Sequence, residues 1–417
     1  MEVPKLIHER VALGPPVPVE TGSYSLDIQA AERGLDRLAE LLTPEGEALF
    51  VRIPLLDPSC PKTSDLDVLV FGPVDALIPQ RLRLPVEPQT SLMVDLIWLP
   101  TNTLDRPETF STNGVIPYRL LNSRVVFDRT GYATQQCEAV RRLMYRSDIQ
   151  QIRISGLLNL GFYAVREIGV TWDFPGLALF WLHMAYAACL AALCDGFRLL
   201  CPNIYTRPFD WLRQAEERYP VQLEAPFVRC LHLETDPLAL IDPLRRIHQS
   251  VSSHFPEPAW PPSMRSTTRY EYPYFLDEDE LDWRISVAKE LAASNDQAAA
   301  AYYLRFWSYV LCRIPMVYRC AREGRNVSFM RPERAVRPAL EADCPEILGD
   351  LSSILSGCPP VTADEVKSSL EMVLEFRELT QSILEECGVK LEALREWRPF
   401  EPAPQGAQDD RHQPDKD

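Results

Sequence analysis

Apolar and polar positions follow two rhythms along the chain, a mixed one over the first 150 residues and a helical one afterwards. Between Ser25 and Leu42, leucines, an isoleucine and alanines recur at helical spacing. Ser25 or Asp27 is available as the cap, and Pro44-Glu45-Gly46 as the stop. Four β-branched or aromatic runs follow, at 48–53, 63–72, 91–99 and 124–128, each bounded by proline, glycine or polar residues. A helix is predicted from about Thr134 to Ser147. Residues 1–150 therefore read helix, four strands, helix, an α+β arrangement with a sheet and flanking helices.

Beyond residue 150 the pattern predicts helices only. Residues 152–170 and 177–197 are strongly apolar, and 208–218 is shorter and amphipathic. Residues 254–274 are rich in proline and aromatics and read as a connection. Helical periodicity returns at 279–294, 297–323, 339–355 and 363–387. The segment 401–417 is polar and poor in apolar residues, and reads as a disordered acidic tail. Residues 174–194 are apolar enough to raise the question of a membrane span. Pro175, Gly176 and His183 interrupt the run, and Asp195 follows it, so a buried helix is expected and no membrane partner.

Composition narrows the class. A formal charge of −16 argues against a surface built to coat nucleic acid, and hence against a long nucleic acid as partner. The 37 prolines imply short elements and stiff connections. The 11 cysteines include no Cys-x-x-Cys and no neighbouring His pair, which speaks against zinc and for buried thiols in a reducing compartment. The N-terminus lacks the basic and then apolar run of a signal peptide, so a cytoplasmic location is expected.

The candidate chemistry lies in Thr63-Ser64-Asp65-Leu66-Asp67-Val68-Leu69-Val70-Phe71-Gly72. Asp65 and Asp67 are two residues apart on an extended strand, so they share a face roughly 7 Å apart. Carboxylates so placed at the polar end of an apolar strand repel, and a hard divalent cation with oxygen ligands, Mg²⁺ above all, relieves that. A third carboxylate, Asp95, interrupts the apolar strand between Val94 and Leu96.

These features resemble the nucleotidyltransferases related to DNA polymerase β and kanamycin nucleotidyltransferase. The resemblance is carried by Ser64-Asp65-Leu66-Asp67-Val68-Leu69-Val70, by Val94-Asp95-Leu96, and by Val125-Val126-Phe127-Asp128-Arg129-Thr130-Gly131. It covers residues 25–150, with similarity of architecture alone to about 220. It implies an N-terminal nucleotidyltransferase-like mixed sheet with flanking helices, followed by a mostly α-helical C-terminal region. The implied organisation is a catalytic domain over 1–150, a helical acceptor-binding region over 151–270, a C-terminal helical region over 271–400 and the tail. It further implies that Asp65, Asp67 and Asp95 hold two Mg²⁺ ions (or Mn²⁺), with Asp95 accepting the proton of an acceptor hydroxyl. The hydroxyl, on a small molecule, protein or nucleotide, would attack the α-phosphorus of a nucleoside triphosphate and release pyrophosphate.

One departure stands upstream. Where the family has a Gly-Ser pair whose amides cradle the phosphates, this chain has Ile53-Pro54, and proline has no amide hydrogen to donate. Lys62, Thr63 and Ser64 are the candidate substitutes, and Arg52 just before the loop can be read either way. Two alternatives follow: a catalytically degenerate member serving as a nucleotide-binding or protein-interaction module, and an oligonucleotide or cyclic-nucleotide synthase of a defence system. His183, within an apolar helix, reads as a core histidine. Tyr205 and Arg207 are placed to face the cleft, with aromatic packing as the simpler role.

Overall fold

The computed structural model describes residues 28–42, 48–52, 66–73, 78–87, 90–112, 116–121, 123–171, 174–199, 207–262, 264, 266–326, 336–356 and 361–391. The chain is a small mixed sheet with flanking helices, followed by a mostly helical region. Helix α1 (Ile28–Leu42) precedes strands β1 (Ala48–Arg52), β2 (Leu66–Gly72), β3 (Ile78–Glu87) and β4 (Thr90–Pro100). Short helices α2 (Pro107–Ser111) and α3 (Ile116–Leu121) lead to β5 (Ser123–Asp128) and helix α4 (Tyr132–Leu143). Among the described residues the strands form one sheet in the order β3-β4-β2-β1-β5. Only β2 and β4 run parallel; every other neighbouring pair is antiparallel.

Strand β3 corrects the four-strand reading. Its prolines, Pro79 and Pro85, disguise it, yet it is an edge strand, where a missing amide donor is tolerated. The period of two sorts the sheet's faces. Leu69 and Phe71 on β2 stand level with Ile97 and Leu99 on β4. They pack with Leu104, Phe110, Tyr118, Leu120, Ala133 and Val140 in one core under α2, α3 and α4. Helix α1 lies against β3, β4 and β5 and buries Leu35, Leu38 and Leu42.

The rest is helical: α5 (Ser147–Thr171), α6 (Pro175–Gly196), α7 (Pro208–Arg218), α8 (Glu224–Cys230), α9 (Ile241–His254), α10 (Ser266–Phe275), α11 (Glu278–Ala293), α12 (Gln297–Cys312), α13 (Ile314–Arg322), α14 (Val336–Asp343), α15 (Leu348–Ser356) and α16 (Ala363–Glu386). Helix α6 is the hub, packed by α5, α16, α15, α7 and α12. It is long and apolar enough to cross a membrane, but its whole apolar window is buried within the protein, as expected for a core helix. The backbone of Leu355 comes so close that a Cβ on Gly176 would lie 2.7 Å from the Leu355 Cβ. His183 is buried there, bonded to the Tyr302 hydroxyl, which agrees with its reading as a core histidine.

Two further readings are corrected. The stretch 254–274 contains α10, whose Met264, Thr268 and Tyr272 spacing is helical and buried, with Pro273 near its end. The stretches 297–323 and 339–355 are each divided, with Pro315 at the start of α13 and Pro345 starting a 3₁₀ turn before α15. Proline is well suited to the first turn of a new helix and ill suited to the interior of an old one. The tail at 401–417 lies outside the described residues.

A buried ion pair joins the two regions. Arg153 of α5 donates from Nε and Nη2 to the two carboxylate oxygens of Asp195 of α6, each at 2.8 Å. The Tyr118 hydroxyl of α3 donates to the same carboxylate at 2.8 Å, and Arg153 also reaches the Ser111 and Met144 carbonyls. Helices under the sheet are thereby tied to the helical core.

Candidate functional site

The register of β2 against β4 builds the site. Asp67 is the direct partner of Asp95 in the parallel ladder, one strand spacing away, about 4.8 Å between backbones. Each is partly exposed, while the flanking Leu66, Val68, Val94 and Leu96 are fully buried. Both aspartates share the sheet face of Leu69 and Ile97, two residues further on. Apolar residues thus fix the strands, and the register sets two carboxylates side by side at their polar end.

Of the residues expected from sequence, Asp67 and Asp95 are brought together. Lys62, Thr63, Ser64 and Asp65 lie outside the described residues, as do Ile53-Pro54 and Tyr205. Arg207 pairs with Asp210 at 3.1 Å. Among the described residues no three His, Cys, Asp or Glu side chains are grouped to hold a metal ion. The two described carboxylates nevertheless fit a hard divalent cation in donor chemistry and in adjacency, and Asp65 is two residues from Asp67 on the same chain.

Sequence reasoning missed Glu271. Helix α10 packs on edge strand β3 and brings this glutamate into the electrostatic field of Asp95. Its pKa is pushed up to about 7, first because the surrounding protein strips water from the carboxyl, then because Asp95 is negative. Part of the residue's surface still meets solvent. The signal was present in the helical spacing of Thr268, Tyr272 and Phe275, but Pro261, Pro262 and Pro273 gave the stretch the look of a connection.

Asp128, at the end of β5, has a different task. Its carboxylate accepts from the amides of Gly131 at 2.9 Å and Thr134 at 2.7 Å, closing the turn into α4. Burial alone would raise its pKa, but these bonds outweigh that and hold it below the ordinary carboxylate value. Gly131 adopts a left-handed backbone there, φ 74°, which a side chain would strain.

No family model matches this sequence, and no curated protein matches it. Among solved structures the chain is similar to a nucleotidyltransferase-like protein from Exiguobacterium sibiricum, at 14% identity, over 78% of this chain and 89% of that one, with a TM-score of 0.22. A likeness that slight carries no argument, and the functional reading rests on the site.

Proposed function

We propose that the chain is a Mg²⁺-dependent nucleotidyltransferase. It would transfer a nucleoside monophosphate from a nucleoside triphosphate to a hydroxyl acceptor, with release of pyrophosphate. The observation that supports this reading is the pairing of Asp67 with Asp95 on the two parallel strands. With Asp65 they would hold the divalent ions, which when bound acidify the acceptor hydroxyl and offset the charge of the triphosphate. Asp95 would take the hydroxyl proton. Glu271 adds a second proton acceptor on the helical side, and a carboxyl titrating near neutrality suits that exchange. The acceptor, a small molecule, protein or nucleotide, would enter between the sheet of residues 1–150 and the helical regions 151–270 and 271–400.

A second reading, a nucleotide-binding or protein-interaction module without catalysis, is favoured by Ile53-Pro54 in place of the phosphate cradle. The test is incubation of the full chain with each labelled nucleoside triphosphate and Mg²⁺ or Mn²⁺, wild type beside Asp67→Ala. Pyrophosphate release and a labelled acceptor in wild type alone are the expected result. Nucleotide binding without pyrophosphate release in wild type would sink the enzyme reading in favour of the second. Products formed from triphosphates alone would point instead to an oligonucleotide or cyclic-nucleotide synthase.

A further inference from the structure

The ladder pairings extend the aspartate pair in both directions. Arg81 of β3 is the antiparallel partner of Asp95, and Arg52 of β1 is the antiparallel partner of Asp67. Four charged residues therefore cross four adjacent strands at one register level, in the order Arg81, Asp95, Asp67, Arg52. The row spans three strand spacings, about 14 Å. It is formally neutral, two cations outside two anions. That symmetry is unexpected in a chain carrying 43 basic and 59 acidic residues.

We propose that this row is a polyphosphate-binding site, in which Arg52 and Arg81 take the place of the absent Gly-Ser cradle. The proposal rests on the nucleotidyltransferase reading for its ligand, a nucleoside triphosphate or its pyrophosphate product. The reasoning is one of charge. With a divalent cation held by the aspartates, the row carries a surplus of positive charge, flanked on both sides by guanidinium groups. Arginine offers a planar fork of donors that matches phosphate oxygens in pairs, so it can replace backbone amides where proline has removed them. A purely structural ion-pair row would need the same four residues but would have no use for an added anion.

The test is isothermal titration of the full chain with inorganic tripolyphosphate and with ATP, each with Mg²⁺, for wild type, Arg52→Gln, Arg81→Gln, Arg81→Lys and Asp67→Asn. Urea midpoints of the same proteins control for folding. Each Gln variant is expected to weaken both ligands by about 10-fold or more, with Arg81→Lys in between, because it keeps the charge and loses the fork. Asp67→Asn is expected to remove the Mg²⁺ dependence of binding. Gln variants that bind tripolyphosphate as wild type does would overturn the proposal, whatever their stability. Should Arg81→Gln fail to fold, undiminished binding by Arg81→Lys together with Arg52→Gln would overturn it equally. The two ideas fail separately. Nucleotide transfer with unchanged KM for ATP in the Gln variants removes the arginine proposal and leaves the enzyme. Arginine-dependent tripolyphosphate binding without any transfer removes the enzyme and leaves the arginines.

Discussion

Two sets of carboxylates in this molecule are handled in opposite ways. Asp195, 1% exposed in the helical core, receives both arms of Arg153 and the hydroxyl of Tyr118. Asp67 and Asp95 stand level with each other, partly exposed, with Glu271 pushed up to about 7 nearby. A carboxylate that holds a fold together has its counter-charge built in and is sealed from water. Carboxylates that await a ligand are crowded together where solvent can still reach them. The first arrangement lowers the energy of the folded chain; the second raises it until something binds.

That contrast can be broken from either side. Arg153→Ala leaves Asp195 buried without its cation and should cost about 3–5 kcal/mol, read as a fall in the urea midpoint. A much smaller loss would mean that the pair is not the tie between the regions. Asp67→Asn should do the reverse. Nucleotide transfer should fall about 10³-fold, roughly 4 kcal/mol of barrier, while stability changes by less than about 1 kcal/mol.

Smaller effects sharpen the comparison. Gly176→Ala would push a methyl into Leu355 at the crossing of α6 and α15, and should destabilise by about 1–3 kcal/mol without touching the site. Glu271→Gln is expected to stabilise, and only at higher pH. The folded-state pKa of Glu271 is raised from an ordinary 4.5 to about 7, so the wild type loses stability as pH climbs from 4.5 to 7 and holds that deficit above 7. The variant has no such loss. It should exceed wild type by about 1–2 kcal/mol at pH 8, less than the full shift implies because the residue is partly solvated, and match it at pH 4. Equal stability at both pH values would remove the electrostatic link between Glu271 and Asp95.

The same contrast explains what the sequence could show. Strands β2 and β4 were legible because buried β-branched runs are continuous in sequence, and Asp67 and Asp95 interrupt them conspicuously. Helix α6 was legible for the same reason. Edge strand β3 was hidden by Pro79 and Pro85, since proline reads locally as a breaker and only the edge position makes it harmless. Glu271 was hidden because its function depends on α10 being carried back onto β3, some 190 residues after it in the chain, and no local pattern encodes that. Register was invisible too. Asp67 and Asp95 could be nominated from sequence as two of three carboxylates, but their standing level, with Arg81 and Arg52 outside them, required the ladder.

The central claim is that Asp67 and Asp95 form one cation site. Titration of the full chain with Mn²⁺ in the presence of ATP, followed by loss of the free-ion EPR signal, tests it most directly. Saturable Mn²⁺ uptake in wild type, weakened at least about 10-fold in both Asp67→Asn and Asp95→Asn, is the predicted result. Uptake that is absent from wild type, or unchanged in the two variants, would contradict it.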